Sequence, residues 1–275
     1  MDRYKWAEIS SRQFKRYILG GGDMAALPVG SMEVMGPHLP VGANYFIAKA
    51  VAEELCRAHG GFCLPPVPFS PICGAKERGG VGLDCQTALD YITDAVAEAH
   101  ENGIRRMLLV GSFDELYYVT AEIFQEYDIP LAHIDPALIP AAGPGAGEHL
   151  RFTALTAGSL ALLGEEELLN KTLEANAKCL MSGGYRAPDD CAPISGLLNV
   201  VPSEWRSGVF PHFYGKDEYK ILPADGVDAE AAAAAIRAWA SDFAGPLAAL
   251  AAYAQVFPRA RYDRGMRMGG VGYGE

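Results

Sequence analysis

The sequence predicts a single α/β domain whose mostly parallel β-sheet is flanked by helices on both faces. Over the first two-thirds of the 275 residues, short apolar runs alternate with longer amphipathic segments, as expected when strands alternate with helices. Residues 106–110 (RMLLV) form the kind of apolar run expected of a strand that is buried on both faces. Strands and helices in this order imply right-handed crossovers and therefore a parallel sheet.

The predicted elements follow one another along the chain with few interruptions. We predict strands over residues 25–29, 62–67, 106–110 and 130–134, and helices over residues 46–58, 88–102, 116–127, 149–163 and 165–180. Pro65 and Pro66 would end the second strand early. Gly103 is well placed to terminate the helix before it. The alanine-rich stretch 229–254 is interrupted by charged residues, so it predicts a helix or helix pair packed on protein and not a membrane span.

The last third of the sequence is less regular. Residues 183–225 contain several prolines and aromatic residues without helix or strand periodicity, which is more typical of a functional loop or an interface arm than of a linker. Residues 257–275 carry four arginines and a glycine-rich run, and we predict a flexible tail or an interface element there. We assign residues 1–275 to one domain that includes both segments.

Composition limits the partners and the location of the protein. Asp and Glu outnumber Lys and Arg by 34 to 23, which gives a formal charge of −11 and disfavours nucleic acid, because Lys and Arg supply most phosphate contacts. The N-terminal residues show no signal peptide, and the six cysteines show no CxxC pair. These features predict reduced thiols, a cytoplasmic location, and neither nucleic acid nor membrane as a partner.

The most informative segment is residues 27–44 (LPVGSMEVMGPHLPVGAN), here called the front loop. It follows the first predicted strand, and ligand sites in such sheets form at loops that leave the carboxyl ends of strands. Glu33 and His38 lie in this largely apolar loop, where burying them is costly unless they are paired, hydrogen-bonded or bound to a metal. The alternative is a turn shaped by Pro and Gly, with a capped Glu and a satisfied His.

The front loop resembles the opening motif of the creatininase family, LPVGSxEQHGPHLPLGTD, without a gap. Three further segments match motifs of that family in the same order: SPICGAKERGGVGL, GIRRMLLVGSFDEL and AGPGAGEHLRFTALTA. The resemblance covers about residues 20–160. It implies the creatininase fold, a homo-oligomer that is commonly a hexamer, and a site where two divalent ions are bridged by a water and an aspartate.

Transferred residue by residue, the resemblance implies that most metal ligands are replaced. Glu33 and Glu148 stand at glutamate ligands, and Asp114 stands where some members carry a second glutamate. The replacements are Met35 and Ser112 and Gly145 for histidines, and Asn44 for the bridging aspartate. A thioether, an alcohol and a carboxamide are poor substitutes for imidazole and carboxylate around such ions.

The surviving acids leave three interpretations open. Four acids could form a metal-free acid–base site, with His38 sharing their proton, because clustered carboxylates raise one another's pKa; they are Glu33, Asp114, Glu115 and Glu148. Glu33, Asp114 and Glu148 could instead hold one hard divalent ion. They could also be structural ion pairs with basic residues, for which the candidates are Lys76, Arg78 and Arg105.

The implied function is therefore that of an altered relative. We expect a creatininase-like hydrolase that acts on a small polar molecule, a cyclic amide or a keto-sugar-like compound, by metal-poor or metal-independent chemistry. We expect no cofactor, or at most one divalent metal, and substrate contacts from Asn44, Ser112, Tyr117 and His212. The alternative is a non-catalytic binding or scaffolding subunit with the same fold.

Overall fold

The computed structural model describes residues 4–71, 79–112, 115–186 and 219–256. Its strands form one sheet in which the spatial order is β2-β1-β3-β4 and every pairing is parallel. The strands are β1 (Met24–Pro28), β2 (Phe62–Cys63), β3 (Arg106–Val110) and β4 (Leu131–Ile134). The register sets Ala26 opposite Cys63 on one side and opposite Leu108 on the other.

Eight α-helices belong to the described part of the chain. They are α1 (Ser11–Leu19), α2 (Ala43–His59), α3 (Cys85–Glu101), α4 (Glu115–Tyr127), α5 (Glu148–Leu163), α6 (Glu166–Ser182), α7 (Ala229–Ser241) and α8 (Ala244–Val256). Short 3-10 helices cover Trp6–Glu8 and Pro136–Leu138. None of the helices described is long and apolar enough to cross a membrane.

Two apolar cores lie on opposite faces of the sheet, because successive side chains of a strand point to opposite faces. On one face, Met24 and Ala26 of β1 pack in a core with residues of α2, α5 and α7. On the other face, Ala25 and Leu27 pack in a core with residues of α3 and α4. The predicted α/β class, with a parallel sheet covered on both faces, is confirmed.

The element boundaries agree with the sequence at several points that have a physical cause. β2 is only two residues long, since Pro65 and Pro66 follow closely, and Gly103 adopts a φ of 103° directly after the C-cap of α3. The stretch 229–254 forms a helix pair, α7 and α8. Most of the irregular segment and the whole tail 257–275 lie outside the described residues, so the single-domain assignment stays a prediction.

The ends of three strands gather the candidate loops at one edge of the sheet. The Val29 N–H donates to the Val110 carbonyl at 2.8 Å, and the Gly111 N–H donates to the Ile134 carbonyl at 3.0 Å. The loops after β1, β3 and β4 therefore begin side by side. This edge is where doubly wound sheets bind ligands.

Candidate functional site

The front loop is held closed by backbone contacts. The Glu33 N–H donates to the Val41 carbonyl at 2.9 Å, which joins the two arms of the loop. At its start, a Cβ added to Gly30 would lie 2.4 Å from the Cα of Tyr45, so only glycine allows this approach of the loop to α2. The loop is therefore a fixed frame for the side chains that it carries.

Glu33 is buried in this frame and forms an ion pair with a lysine far away in sequence. The Lys220 Nζ lies 2.9 Å from Glu33 Oε1, and the exposed fractions of the two side chains are 29% and 10%. Glu33 is a candidate site residue from the sequence, whereas no motif marks Lys220, which lies in the irregular segment. Among the basic residues that the sequence suggests as ion-pair partners, Arg105 donates to the His100 carbonyl, and Lys76 and Arg78 lie outside the described residues.

Residues 219–222, here called the docking segment, fix the position of Lys220 on the front loop. The Ile221 N–H donates to the Met35 carbonyl at 2.9 Å, and the Leu222 N–H donates to His149 Nδ1 at 3.3 Å. A Cβ added to Gly36 would lie 2.5 Å from the Ile221 carbonyl oxygen, so the two backbones touch there. The backbone on the C-terminal side of Lys220 is thus anchored to the loop and to α5.

Asn44, at the position of the bridging aspartate, is buried at the start of α2. Its Nδ2 donates to Ser31 Oγ at 2.8 Å and lies 3.9 Å from the Met35 sulfur. Its Oδ1 is buried, and no group in the described ranges hydrogen-bonds to it. The carboxamide and the thioether therefore contact each other where the resemblance implies metal ligands.

His38 is buried between the front loop and α5. Its Nε2 lies 3.0 Å from Thr153 Oγ1, while its Nδ1 is buried and has no hydrogen-bond partner within the part of the chain that is described. Burial, with a smaller contribution from the nearby His149, lowers the pKa of His38 to about 4. The imidazole is therefore neutral at neutral pH.

The other predicted site residues lie on other elements or outside the described residues. Glu148 begins α5 with an exposed side chain, and Tyr117 is exposed on α4 with its ring edge-on to Tyr118. Ser112 is half-buried directly after β3. Asp114 and His212 fall outside the described residues. Glu33, His38 and Asn44 all belong to the front loop, and the structure adds Lys220, which pairs with Glu33, and His149, which accepts from the docking segment.

The donors that the described residues place around Glu33 do not fit a pair of divalent ions. Glu33 already has an ammonium 2.9 Å away, and the neighbouring positions offer a thioether and a carboxamide in contact with each other. Such ions prefer imidazole, thiolate or several carboxylate oxygens. Within the described ranges, no three His, Cys, Asp or Glu residues are grouped so that they could hold a metal ion.

Comparisons with known proteins agree with this fold. The family model for creatininase, described as creatinine amidohydrolase, matches residues 7–150. Creatinine amidohydrolase of Pseudomonas putida is 22% identical over 123 residues, 42% of this chain and 47% of that protein. The 3-dehydro-scyllo-inosose hydrolase of Thermotoga maritima is 26% identical over 112 residues, 40% of this chain and 33% of that protein. The matched segments thus span about half and about a third of these relatives.

Solved structures extend the likeness over most of the chain. A creatininase described as the Mn form superposes with a TM-score of 0.61 at 14% identity, covering 89% of this chain and 99% of that one. A creatininase variant complexed with creatine gives a TM-score of 0.60 at 15% identity with the same coverage. At such identities, these likenesses show the fold alone.

Proposed function

Because the chain belongs to the creatininase family, we propose that it acts on a small polar molecule at the sheet edge that carries the front loop. The proposed ligand is a cyclic amide or a keto-sugar-like compound, and the chemistry is acid–base chemistry without a dinuclear metal centre. The names of the two curated relatives, a creatinine amidohydrolase and an inosose hydrolase, support this ligand class. Creatinine and an inosose each contain a carbonyl group beside further polar groups.

The observation that carries the proposal is the placement of Glu33. Its carboxylate is nine-tenths buried, is attached to a closed loop, and lies 2.9 Å from the Lys220 ammonium. A positioned carboxylate can take a proton from a carbon or from a water next to a carbonyl group. We assign Glu33 this role, with Asn44 and Ser112 as hydrogen-bonding groups for the ligand.

Replacing Glu33 by Gln is expected to abolish stabilisation by the ligand. A ligand at roughly 100 times its Kd raises the free energy of unfolding by about 2.7 kcal/mol, and the shift can be measured by thermal unfolding with creatinine, 2-pyrrolidinone, hydantoin and scyllo-inosose. The control is Glu167→Gln, which changes an exposed carboxylate in an ion pair on α6. A compound that stabilises the wild type and Glu33→Gln equally would place the ligand elsewhere.

The second candidate is a non-catalytic binding or scaffolding subunit. It is favoured by the fact that His38 and Asn44 both make hydrogen bonds with other side chains of the protein, His38 with Thr153 of α5 and Asn44 with Ser31 of the front loop. A binding subunit would be stabilised by a compound without converting it, whereas a scaffold would respond to none. Product analysis by mass spectrometry on the stabilising compound separates a binding subunit from an enzyme.

A further inference from the structure

We propose that the front loop contains a cation position beside Glu33 and that the ammonium group of Lys220 permanently fills it. The position would accept a primary ammonium group with a single positive charge in preference to a divalent metal ion. This goes beyond the proposed function, which requires only that Glu33 be available to a ligand.

The burial of Glu33 calls for a positive charge close to its carboxylate. The side chain of Glu33 is 10% exposed, and a carboxylate removed from water needs an opposite charge or several hydrogen bonds close by. Two exposed ion pairs on α6, Lys171 with Glu167 and Lys178 with Glu174, have side chains at least 68% exposed. Pairs of that kind contribute little to stability. The Glu33–Lys220 pair differs from these two, because its carboxylate is removed from water and needs a cation close by.

The fold determines where the ammonium group of Lys220 lies. Ile221, the next residue, is 1% exposed and donates its N–H to Met35 of the front loop at 2.9 Å. Leu222 is held by His149 of α5. The backbone position from which the Lys220 side chain extends is therefore fixed against the loop that carries Glu33. Less conformational entropy is then lost when the ion pair forms.

The balance of charge at Glu33 favours an ammonium group over a divalent ion. One carboxylate neutralises one ammonium, whereas a divalent ion at the same place would keep an excess positive charge. The adjacent Met35 sulfur and Asn44 carboxamide are neutral and supply no further negative charge. An ammonium is satisfied by oxygen acceptors, but a divalent ion beside Glu33 would find too few ligands among the residues that the structure describes.

The consequence for chemistry rests on the proposed function. An ammonium donates hydrogen bonds to a carbonyl oxygen and stabilises negative charge on it, but it does not lower the pKa of a water as a zinc ion does. Glu33 and Lys220 together therefore suit proton removal next to a polarised carbonyl group. They do not suit attack by a metal-bound hydroxide.

Chemical rescue tests the cation position without any substrate. Lys220→Ala is expected to lower the Tm by about 5 °C, since Glu33 loses its partner. Propylammonium, which has the atoms that this substitution removes, should restore much of that loss. The neutral analogue 1-propanol should not, and the double variant Glu33→Gln/Lys220→Ala should not respond to propylammonium. The control Lys171→Met, at an exposed pair, should change the Tm by less than about 1 °C.

Two further measurements keep the test decisive if Lys220→Ala does not fold. Lys220→Arg, which keeps the charge, should retain more of the wild-type Tm than Lys220→Met, which keeps most of the apolar chain but not the ammonium group. Titration of the wild type with Mn²⁺ should give no stabilisation that depends on Glu33. The proposal is overturned if propylammonium acts equally on Lys220→Ala and the double variant, if Lys220→Met is as stable as Lys220→Arg, or if Mn²⁺ stabilises the wild type but not Glu33→Gln. These outcomes do not depend on whether any small-molecule ligand is found.

Discussion

Lowering the pH from 6.5 to about 4 is expected to reduce the free energy of unfolding by about 2 to 3 kcal/mol through His38. In the unfolded chain this imidazole takes up a proton near its ordinary pKa of 6.5, whereas burial lowers its pKa to about 4 in the folded protein. Between these values the unfolded state binds more protons, so stability falls as the pH falls. The stability that depends on keeping this imidazole neutral is fully present above pH 6.5 and is lost below about pH 4.

Urea unfolding of the wild type and His38→Gln across this pH range measures the effect. Gln cannot titrate, and its amide can replace the contact of His38 Nε2 with Thr153. The variant should therefore have a flatter dependence of stability on pH, and the difference should be confined to the window between the two pKa values. Parallel curves for the two proteins would show that His38 is readily protonated in the folded state.

Gly36→Ala is expected to destabilise the protein by about 2 to 3 kcal/mol. The added Cβ would lie 2.5 Å from the Ile221 carbonyl oxygen and 3.1 Å from the His38 ring. The first of these atoms belongs to the backbone, so the docking segment has to move away from the front loop. That movement would weaken the hydrogen bond between the Ile221 N–H and Met35 and displace Lys220 from Glu33.

The matched control is Gly245→Ala in α8. Apart from its chain neighbours, a Cβ added at Gly245 meets no heavy atom within 4 Å among the described residues, so alanine should cost much less there than at Gly36, with only the following Pro246 disfavouring a helical backbone at this position. Chemical denaturation compares the two variants, and propylammonium should not rescue Gly36→Ala because its lysine is still present. If Gly36→Ala is as stable as the wild type, the docking segment does not pack against Gly36 as described.

The sequence was most informative about the sheet, for reasons visible in particular elements. Residues 106–110 were predicted as a buried strand from their apolar run and form β3 with the same bounds. Helix α1 was not predicted, although Ser10 and Gln13 form a capping box at its start and the spacing of these two residues was a usable signal. The start of α1 depends on near neighbours in the chain, whereas β3 pairs with a strand 82 residues away (Met24 lies opposite Arg106) and is recognisable only because its own residues form an apolar run.

The partner of Glu33 could not be found in this way. Lys220 is 187 residues away in a stretch without periodicity, and no local rule connects it to the front loop. The resemblance identified Glu33 as a kept acid and Met35 and Asn44 as altered positions, but it gave no indication of what replaces the lost charge. The contact depends on how the docking segment returns to the sheet edge, which is a property of the whole fold.

Several predictions remain as the sequence made them. The homo-oligomer, with its expected hexamer, can be tested by light scattering, and the cytoplasmic location by fractionation of cells. The roles of Asp114, Glu148, Tyr117 and His212 depend on substitution experiments. Glu148 and Tyr117 are exposed in the described chain, so their contribution to a site would require a ligand that reaches them or a second copy of the protein.

The metal content of the purified protein tests the central claim most directly. After saturation with Mn²⁺ or Zn²⁺ and removal of the free ions by dialysis, elemental analysis should find far less than one ion per chain, both in the wild type and in Glu33→Gln. Two tightly held ions per wild-type chain, absent from Glu33→Gln, would contradict the account. Glu33 would then be a metal ligand, and the ammonium group of Lys220 would not occupy the cation position beside it.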